Sequence, residues 1–257
     1  MGIFDRRVSI ALTLGMAIVL GSLMSGAEGQ ADEHVSEPAI VSPRSPILPD
    51  WQAPEAIEDY REQIQKAPFG YLRWQQFPVR VAIEPVIESP GSAAAERDQR
   101  WVAAVRGAIA DWQPYVPLVE VTIGSVTAGS TSEDGWDIYV SRSRPPLQRS
   151  KDGTILPARL ADTRYEILSP SSGIGDSVKF RFRIRMGNQQ GEAGLRATAR
   201  HELGHALGLW GHSTNPQDVM YPAQMGDYPP ISDRDLKTLQ WLYQDLIPGF
   251  FSKVAKN

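Results

Sequence analysis

Three of the four histidines in this chain lie within one stretch of twelve residues, and no other feature constrains the fold as tightly. His201 and His205 are four residues apart, and the residues from Gly191 onward suit a helix. Residues four apart on a helix lie one turn above each other, so both imidazoles can reach a single metal ion. Gly208 then allows the backbone to leave the helix sharply, as a left-handed terminating residue would. The chain beyond this glycine can bring His212 to the same metal.

The available ligand types favour zinc held by three histidines. Catalytic zinc needs three protein ligands and an open fourth position. The chain has no cysteine, which excludes thiolate ligands and a cysteine nucleophile. No glutamate follows Glu202, and the one histidine outside this stretch is His34, far upstream. We therefore expect His201, His205 and His212 to hold one catalytic zinc ion. Three aspartates leave a substitute third ligand open: Asp218, Asp227 and Asp233.

Glu202 is the predicted catalytic residue. It lies about 100° round the helix from His201, close to the metal without necessarily ligating it. That position suits a carboxylate that takes a proton from a metal-activated water. A purely structural metal site would have no use for such a base.

The stretch resembles the metzincin zinc peptidases and, among them, the matrixins. The metzincin pattern is H-E-x-x-H-x-x-G-x-x-H followed by a methionine turn. Here His201 opens the pattern, and Met220 in Asp218–Pro222 is similar to the matrixin turn, where the methionine forms a floor beneath the metal. The similarity is expected to cover Leu72 to Leu246. It implies a zinc metalloendopeptidase of the α+β class that acts on protein or peptide substrates.

Several features depart from the matrixin pattern. Three residues, one of them Gly211, separate Gly208 from the third histidine where the family has two. Matrixins commonly carry Pro-x-Tyr beside the specificity pocket, but here Gln224 follows two residues after Pro222, so substrate preference does not carry over. A pro-segment cysteine that silences the zinc is missing. A second, histidine-bound zinc is not expected, and calcium ligands such as Asp176 are possible without defining a site.

The apolar patterns predict an α+β domain with a twisted mixed sheet of about five strands, a crossover helix, an active-site helix and a C-terminal helix. Strands show alternation and helices show an apolar stripe. The predicted elements are a strand at 79–83, a helix at 92–112, strands at 119–123, 138–140, 160–168 and 178–186, a helix from 191, and a helix at 232–243. Ser232 and Asp235 are the expected capping pair of the last helix.

The first 71 residues are predicted to precede the catalytic domain, which we place at 72–257. Residues 1–27 have two arginines ahead of an apolar run and small residues after it, as in an export signal. We expect a secreted, monomeric protein. An uncleaved anchor formed by residues 8–24 is the alternative, and only this would associate the chain with a membrane. Residues 28–71 are predicted to be a linker or pro-segment, with a short helix at 54–66.

Charge excludes one large class of partner. The formal net charge is −4 and no long basic run occurs, so no nucleic-acid surface is expected. Four cations alternate with apolar residues in the strand at 178–186, and the simplest interpretation is a solvated outer face. Two rival functions stay open: an inactive zinc-bearing binding module at the cell envelope, and a zinc hydrolase that cleaves a non-peptide amide.

Overall fold

The computed structural model describes residues 45–123, 135–155, 158–169, 179–223, 226 and 228–246. In these ranges five strands form one sheet: β1 (Val79–Ile83), β2 (Leu118–Val121), β3 (Ile138–Ser141), β4 (Ala161–Ser169) and β5 (Lys179–Met186). The strand order is β2-β1-β3-β5-β4. Neighbouring strands are parallel except β4, which runs antiparallel to β5 at the edge of the sheet. The predicted mixed sheet of an α+β domain is confirmed.

Three α-helices accompany the sheet: α1 (Ala93–Trp112), α2 (Glu192–Ala206) and α3 (Asp233–Leu242). Helix α1 connects the parallel strands β1 and β2, as a crossover helix must. Its stripe of Trp101, Val105, Ile109 and Trp112 is buried. Helix α3 begins with the predicted capping box, in which Ser232 and Asp235 bond reciprocally to each other's backbone.

Strand β2 forms where alternation predicts it, but Val119 and Val121, which define the predicted apolar side, are not buried. Val119 is 38% exposed, whereas Leu118 is buried. Glu120 lies on the α1 side of the sheet, where its carboxylate pairs with Arg106 of that helix at 2.7 Å. Alternation shows that two sets of side chains face opposite ways, but only the tertiary packing decides which set is covered.

The chain upstream of Leu72 packs into the same core as the sheet and helices. Ile47, Tyr60 and Ile64 are buried members of that core. The Tyr60 amide donates to Thr238 Oγ1 of α3 at 3.1 Å. A boundary at Leu72 therefore lies inside the packed region, and the predicted helix at 54–66 is reduced to one 3-10 turn at Arg61–Gln63. Contacts with distant elements, rather than a local periodic pattern, hold this segment.

Residues 1–44, which include the predicted export signal and His34, lie outside the described residues. Within the described part of the chain, no helix combines the length and apolar character needed to cross a membrane.

Candidate metal centre and active site

Helix α2 carries two of the predicted metal ligands and is anchored along its length. The Trp112 indole N–H of α1 donates to the carbonyl oxygen of Arg200 at 2.9 Å. The helix ends in a turn in which Gly208 has a φ of 107°. A side chain at this position would be strained in that conformation and would overlap the carbonyl oxygen of Leu72. The sharp exit predicted from the sequence therefore requires glycine for two reasons.

The structure brings the imidazoles of His201, His205 and His212 together. Ring centroids are 4.8 Å apart for His201 and His205, 5.3 Å for His201 and His212, and 4.9 Å for His205 and His212. One ligand nitrogen from each ring lies within 4.8 Å of the other two. His212 is exposed, so the cluster can be reached from solvent.

Main-chain carbonyls orient two of the rings. His201 Nδ1 lies 2.7 Å from the oxygen of Val219, and His205 Nδ1 lies 2.8 Å from the oxygen of Leu209. A carbonyl can only accept, so each Nδ1 carries the proton and each Nε2 keeps its lone pair. Histidines that ligate a metal are usually held in this way.

Burial keeps the three imidazoles neutral near pH 7. It lowers the pKa of His201 to about 4, against the raising effect of the hydrogen bond to Val219 and with a smaller lowering from the charge of His212. Burial also lowers the pKa of His205 well below its usual value and lowers that of His212. A neutral imidazole is the form that binds a metal, so protons compete weakly with a cation at this cluster.

Glu202 is buried beside the cluster and contacts the sheet. Its side chain is 7% exposed. Thr163 Oγ1 of β4 donates to Glu202 Oε2 at 2.5 Å. Burial raises the pKa of Glu202 to about 7, against the lowering effect of the Thr163 hydrogen bond. A carboxyl group with a pKa near neutrality can both accept and return a proton at physiological pH.

The turn that follows the cluster is braced by two buried carboxylates. Met220 is fully buried and its sulfur packs against Gly204 of α2, where any Cβ would overlap it. Asp235 Oδ2 accepts from the Val219 amide at 2.9 Å. Asp218 accepts from Ser213, Ser232 and Arg234. These bonds hold the carbonyl of Val219 where it meets His201.

The chain upstream of Leu72 also contacts the loop between Gly208 and His212. The sequence did not predict this contact. The Gln65 amide donates to the carbonyl oxygen of Trp210 at 2.9 Å. Gly211 faces the backbone of Gln63, and a Cβ there would overlap the Gln63 carbonyl oxygen. The extra residue between Gly208 and His212 was the one sequence feature that could have indicated this contact. It shows that the loop differs from the matrixin pattern, and here the loop packs against the backbone of Gln63 and Gln65.

Trp210 belongs to an aromatic cluster under this loop. Its ring centroid lies 5.7 Å from Tyr165, 5.8 Å from His205 and 6.0 Å from Phe182. The side chain is partly buried and packs against the core, as a hydrophobic plug would.

Two of the three alternative ligands, Asp218 and Asp233, do not join the cluster. Asp218 is bound by its three donors as described above, and Asp233 Oδ1 accepts from the Trp51 indole at 3.1 Å. Among the described residues, the group able to hold a metal consists of the three histidines. Asp227, Asp176 and Gln224 lie outside the described residues.

The cluster fits zinc by its donor set and geometry. Three neutral imidazoles, of which His201 and His205 have Nδ1 bound to a carbonyl and Nε2 left with its lone pair, match the histidine ligation of catalytic zinc sites. A buried carboxylate on the same helix and a methionine beneath complete the arrangement. This fold and this group of side chains agree with the resemblance to the metzincins that the sequence carries.

A comparison with known proteins identifies the family to which the chain belongs. The family model described as Matrixin matches residues 81–244. The chain belongs to the matrixin family.

Among curated relatives, the chain is similar to "Matrix metalloproteinase-20" of Homo sapiens, with 30% identity over 178 residues, covering 68% of this chain and 33% of that protein. It is also similar to "Matrilysin" of Homo sapiens, with 38% identity over 87 residues and 32% of each chain covered. "Matrilysin" of Rattus norvegicus is 34% identical over 86 residues, again 32% of each chain. The chain thus spans about a third of the length of these relatives.

Proposed function

We propose that the protein is a zinc-dependent endopeptidase with His201, His205 and His212 as metal ligands and Glu202 as the general base. The convergence of three imidazoles beside a buried glutamate, in a chain of the matrixin family, is the observation that carries this proposal. The carbonyl-oriented rings of His201 and His205 support it because their lone pairs are directed by the fold itself.

The chemistry divides between the metal and the protein. Bound zinc supplies Lewis acidity, which polarises the scissile carbonyl and makes water a better nucleophile at neutral pH. Glu202 takes a proton from the attacking water as the new C–O bond forms. Glu202 then returns the proton to the departing amine as the C–N bond breaks, so it is regenerated as a carboxylate.

Strand β4 is the natural place for the substrate backbone. It is one of the two edge strands of the sheet, and its residue Thr163 hydrogen-bonds to Glu202. An extended peptide can add to such an edge through main-chain hydrogen bonds. This arrangement would bring the scissile bond past the base, and it favours a peptide over a small amide as substrate.

We also propose that residues 1–27 export the protein and are then removed. Maturation within residues 28–44 is compatible with the folded domain, because the packed region already includes residues from 45 onward. A cut near Leu72 would remove Ile47, Tyr60 and Ile64 from the core.

The test is cleavage of casein by the chain that lacks residues 1–27, with bound zinc measured in the same preparation. We expect activity that a chelator abolishes and that zinc restores. Glu202→Ala should retain zinc and lose at least 100-fold in kcat, since general bases contribute about 10²- to 10⁴-fold. Glu192→Ala is the matched control, because Glu192 is an exposed carboxylate in the first turn of the same helix.

Histidine variants test the ligand set. His201→Ala, His205→Ala and His212→Ala should each lose zinc and activity, whereas His34→Ala should lose neither. A protein that binds one zinc ion, cleaves nothing and is unaffected by Glu202→Ala would instead support an inactive binding module.

A further inference from the structure

The carboxylate of Glu202 has one side-chain hydrogen-bond donor among the described residues, and that donor comes from the sheet. Thr163 Oγ1 donates to Glu202 Oε2 at 2.5 Å and lies 3.2 Å from the main-chain oxygen of the same residue. Thr163 lies on β4 opposite Ile184 of β5. The contact therefore joins the edge strand to α2 across 39 positions of the sequence.

We propose that Thr163 is a positioning residue that holds one oxygen of the general base, so that the other oxygen faces the attacking water. The inference rests on the proposed role of Glu202. It adds a residue from β4 to a site whose other members all come from the stretch 201–212.

A long side chain such as glutamate needs a partner to hold it in place. The terminal torsion of glutamate is broad and roughly two-fold, so packing alone leaves its two oxygens poorly fixed. Glu202 is also buried, and a buried carboxylate without a donor is costly. The Thr163 hydroxyl meets both needs at Oε2. It leaves Oε1 without another side-chain donor among the described residues.

The type of donor matters as well as its position. A lysine or arginine would form a charge-assisted bond to Glu202 and hold the carboxylate in its ionised form more strongly. A neutral hydroxyl orients the group without that added charge. Thr163 is thus suited to fix a base that must still accept a proton.

The competing explanation is that Thr163 only packs. Threonine is β-branched and favours strands, and its hydroxyl would be satisfied by the Glu202 carbonyl alone. The two roles separate in variants that change the hydroxyl and the methyl group independently. Thr163→Val keeps the shape and removes the hydroxyl, whereas Thr163→Ser keeps the hydroxyl and removes the methyl group.

The first measurement is steady-state kinetics of a peptide substrate with the zinc-loaded enzyme. Thr163→Val should lower kcat roughly 10- to 100-fold, the scale of a small misplacement of a catalytic group, with little change in KM. Thr163→Ser should stay within about threefold of wild type, and zinc content should be equal in all variants. Wild-type kcat in Thr163→Val, or equal losses in the valine and serine variants, would overturn the positioning role.

Thr163→Ala guards against a folding defect in the valine variant. The alanine and serine variants both lack the threonine methyl group and differ by one hydroxyl group, so the ratio of their kcat values reports the effect of that hydroxyl. We expect serine to exceed alanine at least tenfold. A ratio near one would contradict the proposal.

The second measurement uses the metal-free protein and does not depend on activity. The urea midpoint is compared in wild type, Thr163→Val, Glu202→Ala and the double variant, as a double-mutant cycle. Thr163→Val should lower the midpoint in the wild-type background and lower it less when Glu202 is absent. Equal shifts in both backgrounds would show that the hydroxyl does not bind this carboxylate.

The two measurements also separate this inference from the proposed function. If wild type cleaves no peptide, the endopeptidase proposal fails whatever the cycle shows. If wild type is active and needs Glu202, but Thr163→Val has wild-type kcat, only the positioning role fails.

Discussion

Strands β4 and β5 present two different surfaces, one on each face of the sheet. On the face towards α2, Phe182, Ile184 and Met186 are fully buried. On the other face, the intervening residues are charged from Asp162 to Glu166 in β4 and from Lys179 to Arg185 in β5. The same two strands therefore contribute an apolar core to one side and an electrostatic network to the other, because successive strand residues point to opposite faces.

The outer face is organised by ion pairs that cross from β5 to β4. Arg185 pairs with Asp162 at 2.5 Å, and Glu166 lies 2.8 Å from Arg181 and 2.6 Å from Arg183. The guanidinium groups of Arg181 and Arg183 also lie over the Trp136 ring, at 4.4 Å and 4.9 Å from its centroid. The interpretation of a simply solvated face is therefore incomplete.

The difference concerns how each face stabilises the fold. The inner face removes apolar area from water, a contribution that salt and pH change little. The outer face depends on ion pairs that are partly exposed. High salt screens these pairs and low pH neutralises their carboxylates, so both conditions weaken them. Thr163 places a polar side chain of β4 on the inner face, where its hydroxyl donates to Glu202.

The largest effect on stability is expected from Phe182→Ala on the inner face. Phe182 is fully buried and contacts the rings of Trp74 and Trp210. Truncation should cost about 3–5 kcal/mol in the free energy of unfolding, measured by urea denaturation. Ile167→Ala on β4 is the control, because Ile167 is 49% exposed and should change stability far less. Equal losses in the two variants would remove the distinction between the faces.

Asp162→Asn should give the largest loss on the outer face. The Asp162 side chain is 8% exposed and is paired with Arg185 and Arg164. Removing its charge should cost about 1–3 kcal/mol, as for hydrogen bonds to charged groups. Asp152→Asn is the control, because Asp152 is exposed and removal of its charge should cost less free energy of unfolding. A cost above that of Phe182→Ala would reverse the proposed order of the two faces.

Acid should weaken the outer face through the same carboxylate. Burial raises the pKa of Asp162, but hydrogen bonds and charge from Arg185 and Arg164 outweigh it, so the pKa lies below the usual 3.8. When folding lowers the pKa of a carboxyl group, the ionised group stabilises the fold at any pH above its unfolded-state pKa. That stabilisation is lost as the pH falls through the folded-state pKa. The stability difference between wild type and Asp162→Asn should therefore stay level from about pH 7 to 5 and shrink below about pH 4.

Urea denaturation of both proteins across this pH range provides the measurement. Phe182→Ala should show a difference from wild type that is nearly independent of pH. A difference for Asp162→Asn that grows on acidification would give the wrong sign for a lowered pKa.

The smallest effect is expected from Arg183→Gln. The Arg183 side chain is 39% exposed and its partner Glu166 is 38% exposed. Such pairs contribute about 0.2–1 kcal/mol, and the loss should diminish in about 1 M salt because exposed charges are screened. Arg97→Gln on α1 is the control, since Arg97 is exposed and should show no salt-dependent change. A loss that persists in high salt would point to the Trp136 contact instead.

Much of the fold was predictable because it depends on short-range pattern. The alternation in β5 and the stripe on α1 appear where the sequence predicted them, as does the cap of α3 at Ser232. Less was predictable where an element is held by distant contacts. Residues 54–66 were expected to form a helix, but Tyr60 is held by hydrogen bonds to Thr238 and Asp235 of α3. Local propensity does not encode such a partner.

The candidate site divides in the same way. His201, Glu202 and His205 could be named from the sequence because helix geometry fixes their relative positions. Thr163 could not, because its role depends on the register of β4 and on the packing of α2 against it. Gln63 and Gln65 were likewise not assignable, since nothing near them in the sequence indicates contact with Trp210 and Gly211.

The sequence by itself determined the chemistry available to this protein: three imidazoles, one carboxylate and the glycine that lets the chain turn between them. His201, Glu202 and His205 lie on one helix, so helix geometry is enough to relate them, and Gly208 follows where the chain leaves that helix towards His212. The tertiary structure alone decided which side chain holds Glu202, which carbonyl orients His201 and which upstream segment supports the loop. Those contacts join residues far apart in sequence, and only the burial of a shared core brings them within hydrogen-bonding distance.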